Sequence, residues 1–167
     1  MYGKKRSGSR TSRKGIGSRG GRSSRSSRAA RHGDTRQLDV EHPGGGWLEG
    51  EILSRSEALG RFSETDVAHR WIVKLPNAAI LFYVENLSAQ EEGRGVGGRT
   101  LEEGMRRARD LGATHAFLFP IGQKGRFADL VRFYRSHGFT MSRMKRGVWE
   151  VGPGEYETMP PLMYRAL

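Results

Sequence analysis

Gln90-Glu91-Glu92-Gly93-Arg94-Gly95-Val96-Gly97-Gly98 follows an apolar run, residues 79–87, and opens a helical pattern. A strand that delivers a glycine-rich turn into a helix N-terminus makes an anion site. Glycines let the backbone approach a ligand, and the first N–H groups of the helix have no partner within it. Arg94 and Arg99 would add positive charge. In the helix that follows, Leu101, Met105, Ala108 and Leu111 recur at near-helical spacing, and Gly112 is placed as its C-cap. Residues 113–121 form a mostly apolar run that reads as a buried strand. Strand, helix and strand in this order predict a right-handed crossover between parallel strands.

Three phosphate-binding readings compete for the loop. A P-loop ends in Gly-Lys-Ser/Thr, whereas this loop ends Gly98-Arg99-Thr100 and lacks the lysine. A dinucleotide fold fits Gly93-x-Gly95-x-x-Gly98 literally. It then wants an acidic residue at the end of the next strand, and residues 117–122 (Phe-Leu-Phe-Pro-Ile-Gly) supply none. The third reading draws on a second segment, Phe133-Tyr134-Arg135-Ser136-His137-Gly138-Phe139, which ends a helical pattern with Leu130, Val131, Phe133 and Tyr134 on one face.

Together the two segments resemble the GCN5-related N-acetyltransferase (GNAT) family. Its loop pattern is Gln/Arg-x-x-Gly-x-Gly/Ala, and its late helix ends aromatic-Tyr, three residues, then Gly-Phe. Gln90-x-x-Gly93-x-Gly95 satisfies the loop pattern literally. A second register, Glu92-x-x-Gly95-x-Gly97, sits better against the helix but places an acid where the family has Arg or Gln. The resemblance covers residues 79–139 well and 37–78 poorly.

The resemblance implies a mixed α/β acyl-CoA N-acyltransferase fold over 37–167 that uses acetyl-CoA as co-substrate. It implies that Gly93, Arg94, Gly95, Val96, Gly97 and Gly98 cradle the pyrophosphate and that Leu87, Ser88 and Ala89 pair with the pantetheine arm. It also implies that the Tyr134 hydroxyl protonates the leaving thiolate. A proton donor there makes chemical sense, because a thiolate leaves more easily when protonated. The attacking amine must be neutral, so a base is needed. Glu85, late in the strand before the loop, is the candidate, with His115 and His137 as other groups that titrate near neutrality.

Elsewhere the pattern predicts strands at 39–41 and 47–53 and a short helix at 54–62 capped by Ser54 or Ser56. It predicts a strand at 70–75 forming a hairpin with 79–87. Two closing strands, 141–151 and 161–167, are expected around a Gly152-Pro153-Gly154 turn.

The net charge of +11 is concentrated at one end. Residues 1–36 hold twelve Lys and Arg against Asp34, while 37–167 hold 17 bases and 17 acids. A segment of Gly, Ser, Arg and Lys has little to bury, so 1–36 is expected to be a disordered basic tail. Arg19, Arg22, Arg25, Arg28 and Arg31 repeat every three residues, which suits nucleic acid or another polyanion. The segment shares the composition of organelle transit peptides but lacks their apolar face, and it carries no secretory signal.

No cysteine is present, which excludes disulfides, thiolate metal sites and a cysteine nucleophile. No His/Asp/Glu cluster has metal-ligand spacing, and no run approaches the roughly 20 apolar residues that span a bilayer. A cytoplasmic, nucleic-acid-associated chain is expected. Two functions stay open: an N-acetyltransferase acting on a primary amine, with Lys4, Lys5 and Lys14 as conceivable self-acceptors, or a catalytically weak GNAT-like scaffold whose tail binds nucleic acid.

Overall fold

A computed structural model describes residues 36–167 apart from 65, 91, 92, 123 and 124. The expected tail lies outside the described residues except for Arg36, which opens the first strand. Glu91 and Glu92 lie outside them too.

Strands β1 (Arg36–His42) and β2 (Gly46–Ser54) form a hairpin. Helices α1 (Arg55–Arg61) and α2 (Val67–Ile72) lead to β3 (Ile80–Ala89), α3 (Val96–Asp110) and β4 (His115–Leu118). Helix α4 (Phe127–Ser136) and β5 (Thr140–Met141) follow, then β6 (Val148–Gly152), β7 (Glu155–Thr158) and β8 (Met163–Ala166). Among the described residues six strands form one sheet in the order β1-β2-β3-β4-β8-β5, and only β3 and β4 run parallel within it. The predicted crossover through α3 is therefore present.

Each face of the sheet carries its own core. Val40, Leu48, Phe82, Leu101, Met105, Val131 and Tyr134 fill the α3/α4 side. Leu53, Ala58, Trp71, Ile72, Leu81 and Phe117 fill the α1/α2 side. Helix α1 starts with a capping box: Ser54 accepts from the Glu57 N–H, and Glu57 accepts from the Ser54 N–H.

Four expectations are corrected. Residues 70–75 are not a strand, because 67–72 is helix α2, capped by Asp66, whose carboxylate accepts from the Ala68 N–H at 2.7 Å. Val67, Ala68, Trp71 and Ile72 are buried, a helical spacing that outweighs the strand preference of Ile72 and Val73. The antiparallel partner of β3 is accordingly β2. The strand expected over 113–121 is only four residues long. It stops before Phe119, where the Ile121 N–H turns back to the Phe119 carbonyl at 2.8 Å, across a proline that has no N–H to give the sheet. The Gly152–Gly154 turn closes a separate two-stranded sheet, β6–β7, and does not join the two closing strands. Leu111, expected on the buried face of α3, is exposed.

Candidate functional site

Strands β3 and β4 pair at Leu81/His115, Phe82/Ala116 and Tyr83/Phe117 and then part. The cause lies on the other side of β3. Gly50 of β2 faces Val84 and Glu49 faces Asn86, so Glu85 is the extra residue of a bulge. A bulge bends its strand, and here it turns the end of β3 away from β4. Among the described residues, the backbone of β3 beyond Tyr83 has no strand partner on that side.

A cleft of about 540 Å³ opens there, within the range of small-molecule sites. Leu87, Ser88 and Ala89 form one wall, and Gly93 with Gly95–Gly98 form its end. Gly122, Arg126, Asp129, Leu130, Phe133 and Tyr134 form the other wall.

The loop geometry fits an anion. Gly93 (φ +82°) and Gly95 (φ +67°) are left-handed, a conformation that costs glycine little. Gly95 is the N-cap of α3 and supplies no side-chain cap. Arg99 gives the first intrahelical bond, N–H to the Gly95 carbonyl at 3.1 Å. The N–H groups of Val96, Gly97 and Gly98 thus precede the helix ladder, at its positive end.

The glycines differ in purpose. A Cβ on Gly97 would lie 3.7 Å from the Ala89 Cβ and 3.9 Å from Phe133, in ordinary contact beside the cleft. A Cβ on Gly98 would lie 2.8 Å from His137 Nε2, so Gly98 makes room for that imidazole.

Of the residues predicted from sequence, all three of β3, the glycines 93, 95, 97 and 98, Val96 and Tyr134 line one cleft. Arg94 does not line it. Gln90 is directed elsewhere: its N–H donates to the Gly45 carbonyl at 3.0 Å, and its side chain lies against Gly45 in the β1–β2 turn. Tyr134 is 8 % exposed, and burial pushes its hydroxyl up to about 12.

Glu85 faces the α1 side of the sheet and does not line the cleft. Arg61 at the end of α1 donates to both Glu85 and Glu51, and its guanidinium lies 5.4 Å over the Tyr83 ring. Burial, reinforced by the Glu85 charge, raises the Tyr83 hydroxyl.

Neither of the two candidate histidines lines the cleft. His115 starts β4, meets Thr114 Oγ1 at 2.9 Å and packs on Trp71; burial lowers its pKa. His137 caps α4 and donates from Nδ1 to Glu102 at 3.1 Å. Arg165 donates to the same Glu102 oxygen and to the His137 carbonyl, both at 2.9 Å. Burial alone would raise the Glu102 carboxyl, but hydrogen bonds from Arg165 and His137 hold it below its ordinary value. Sequence reading missed this tie between α3, α4 and β8, because its members stand 35 and 63 positions from Glu102. It also missed Arg126, Asp129 and Gly122 as lining residues, although Arg126, Leu130 and Phe133 share the helical spacing that marked Tyr134.

The structure resembles two solved structures of Arabidopsis thaliana NAA60. One, in complex with a bisubstrate analogue, is 17 % identical over 77 % of this chain and 71 % of that one, with a TM-score of 0.52. The other, in complex with acetyl-CoA, is 17 % identical over 73 % and 65 %, with a TM-score of 0.50. This is a mixed α/β sheet fold resembling the GNAT acyltransferase fold. At that identity the likeness concerns the fold. No family model matches the chain, and no curated protein matches it. Among the described residues no helix is long and apolar enough to cross a membrane.

Proposed function

We propose that the chain is an N-acetyltransferase that moves an acetyl group from acetyl-CoA to a primary amine by direct attack. The observation that carries this reading is the cleft itself. One continuous space brings together the parted end of β3, the glycine turn and first-turn N–H groups of α3, and the buried hydroxyl of Tyr134.

Acetyl-CoA, when bound, supplies an activated acyl group on a thiol leaving group. Val96, Gly97 and Gly98 hold its pyrophosphate through backbone N–H groups, with the α3 dipole adding to the attraction. The unpaired edge of β3 at Leu87, Ser88 and Ala89 offers backbone donors and acceptors to its amide arm. Phe133 and Leu130 exclude water from the inner part of the cleft.

Tyr134 keeps its proton throughout the physiological range and holds it at Oη on the cleft wall, in the state a general acid requires. Glu85 approaches the parted strands from the opposite face and accepts the proton of the amine, directly or through water. Its ion pair with Arg61 fixes its direction. Replacing Tyr134 by Phe tests the acid role: turnover falls about 10²-fold or more, while acetyl-CoA binding is kept. Unchanged turnover would remove Tyr134 from the chemistry.

A further inference from the structure

Acids and bases are equal in number over residues 37–167, and many of them pair, as Arg61 does with Glu51 and Glu85 and Arg165 with Glu102. Asp39, Glu41, Glu49 and Glu51 alternate onto one face of β1 and β2. Cations collect elsewhere: Arg70 and Lys74 at the end of α2, and Arg143, Lys145 and Arg146 between β5 and β6.

These cations line two shallow grooves that share Met144. Arg70, Lys74 and Lys145 border one; Arg143 and Arg146 border the other. Among the described residues no acid lines either groove. Lys74, Arg143, Lys145 and Arg146 are exposed and form no ion pair among the described residues. The Arg70 guanidinium donates to the Lys145 carbonyl, which pins the basic segment to α2. Like charges held this close repel one another unless a counter-charge is supplied.

We propose that this face binds the phosphate backbone of a nucleic acid, without reading its sequence. A row of phosphates places regularly spaced charges along both grooves at once. The same molecule would supply counter-charge for the twelve Lys and Arg of residues 1–36, more than a short acidic peptide carries. The surface is remote in composition from the acyl-transfer cleft, sharing none of its lining residues. The proposal therefore stands or falls independently of that chemistry.

The test is anisotropy of a labelled mixed-sequence duplex with the full chain, titrated at several salt concentrations. Two variants are compared with the parent, K74E/K145E/R146E and the milder K74Q/K145Q/R146Q. The expected result for the charge-reversed variant is affinity lower by about tenfold or more, with the slope of log K against log salt shallower by about three. The glutamine variant shifts in the same direction, and both keep the parent melting temperature. Affinity and slope unchanged in both variants would assign binding to residues 1–36 alone and overturn the proposal. Tighter binding of a polyglutamate of equal charge than of the duplex, lost in the same variants, would overturn it in favour of an acidic protein partner.

Discussion

Tyr134 is both a core residue and the proposed acid, and its burial serves the two roles together. Among the described residues its ring packs between Phe133 and Phe139, at 5.1 and 5.8 Å between centroids. Desolvation raises the hydroxyl from 10.0 to about 12. Below pH 10 the group is protonated in both folded and unfolded chains. Between roughly 10 and 12 only the unfolded chain ionises, so stability is lost as pH rises through that window. That difference corresponds to about 3 kcal/mol. Thermal melts across that range should fall more steeply for the parent than for Tyr134→Phe; identical alkaline slopes would contradict the burial of the hydroxyl. The residue was legible in the sequence because its helix ends in a recurring aromatic-Tyr and Gly-Phe pattern. The tie of His137 to Glu102 and Arg165 was not, because these residues come together only when α3, α4 and β8 pack.

At the scale of elements, the site depends on the bulge at Glu85 and on the glycine opposite it. A Cβ on Gly50 would fall 2.5 Å from the Tyr83 carbonyl and 2.6 Å from Phe82. Backbone cannot give way as a side-chain tip can. Gly50→Ala should therefore cost about 2–3 kcal/mol in denaturant unfolding and weaken ligand binding in the cleft; a neutral effect would mean that the strands part for another reason. Helix α1 offers a smaller test. Ser54→Ala removes one half of the capping box and should cost about 1 kcal/mol, read from the same unfolding curves.

Glycines and caps made α1, α3 and α4 readable from sequence, since each carries a local signal. Helix α2 was misread because its six residues include Ile72 beside Val73, and β-branched pairs suggest a strand. Its helical face shows only against Phe117 and Tyr164, which the chain supplies about 45 and 90 residues later. The bulge carried no signal in the sequence, because it is a relation between two strands.

The whole molecule divides its tasks between faces of one sheet. Helices α3 and α4 build the cleft on one side, while α1 brings Arg61 to Glu51 and Glu85 on the other. Lys74, Arg143, Lys145 and Arg146 gather along two grooves without acidic partners among the described residues, a local excess that a net charge of zero over residues 37–167 conceals. The central claim is that the cleft takes acetyl-CoA, and calorimetric titration of acetyl-CoA into the full chain tests it most directly. The parent should bind in the micromolar range. Gly97→Leu, whose side chain enters the cleft past Ala89 and Phe133 from an ordinary helical backbone, should abolish binding with little loss of stability. Heat of binding absent at millimolar ligand, or binding unaffected by Gly97→Leu, would contradict the account.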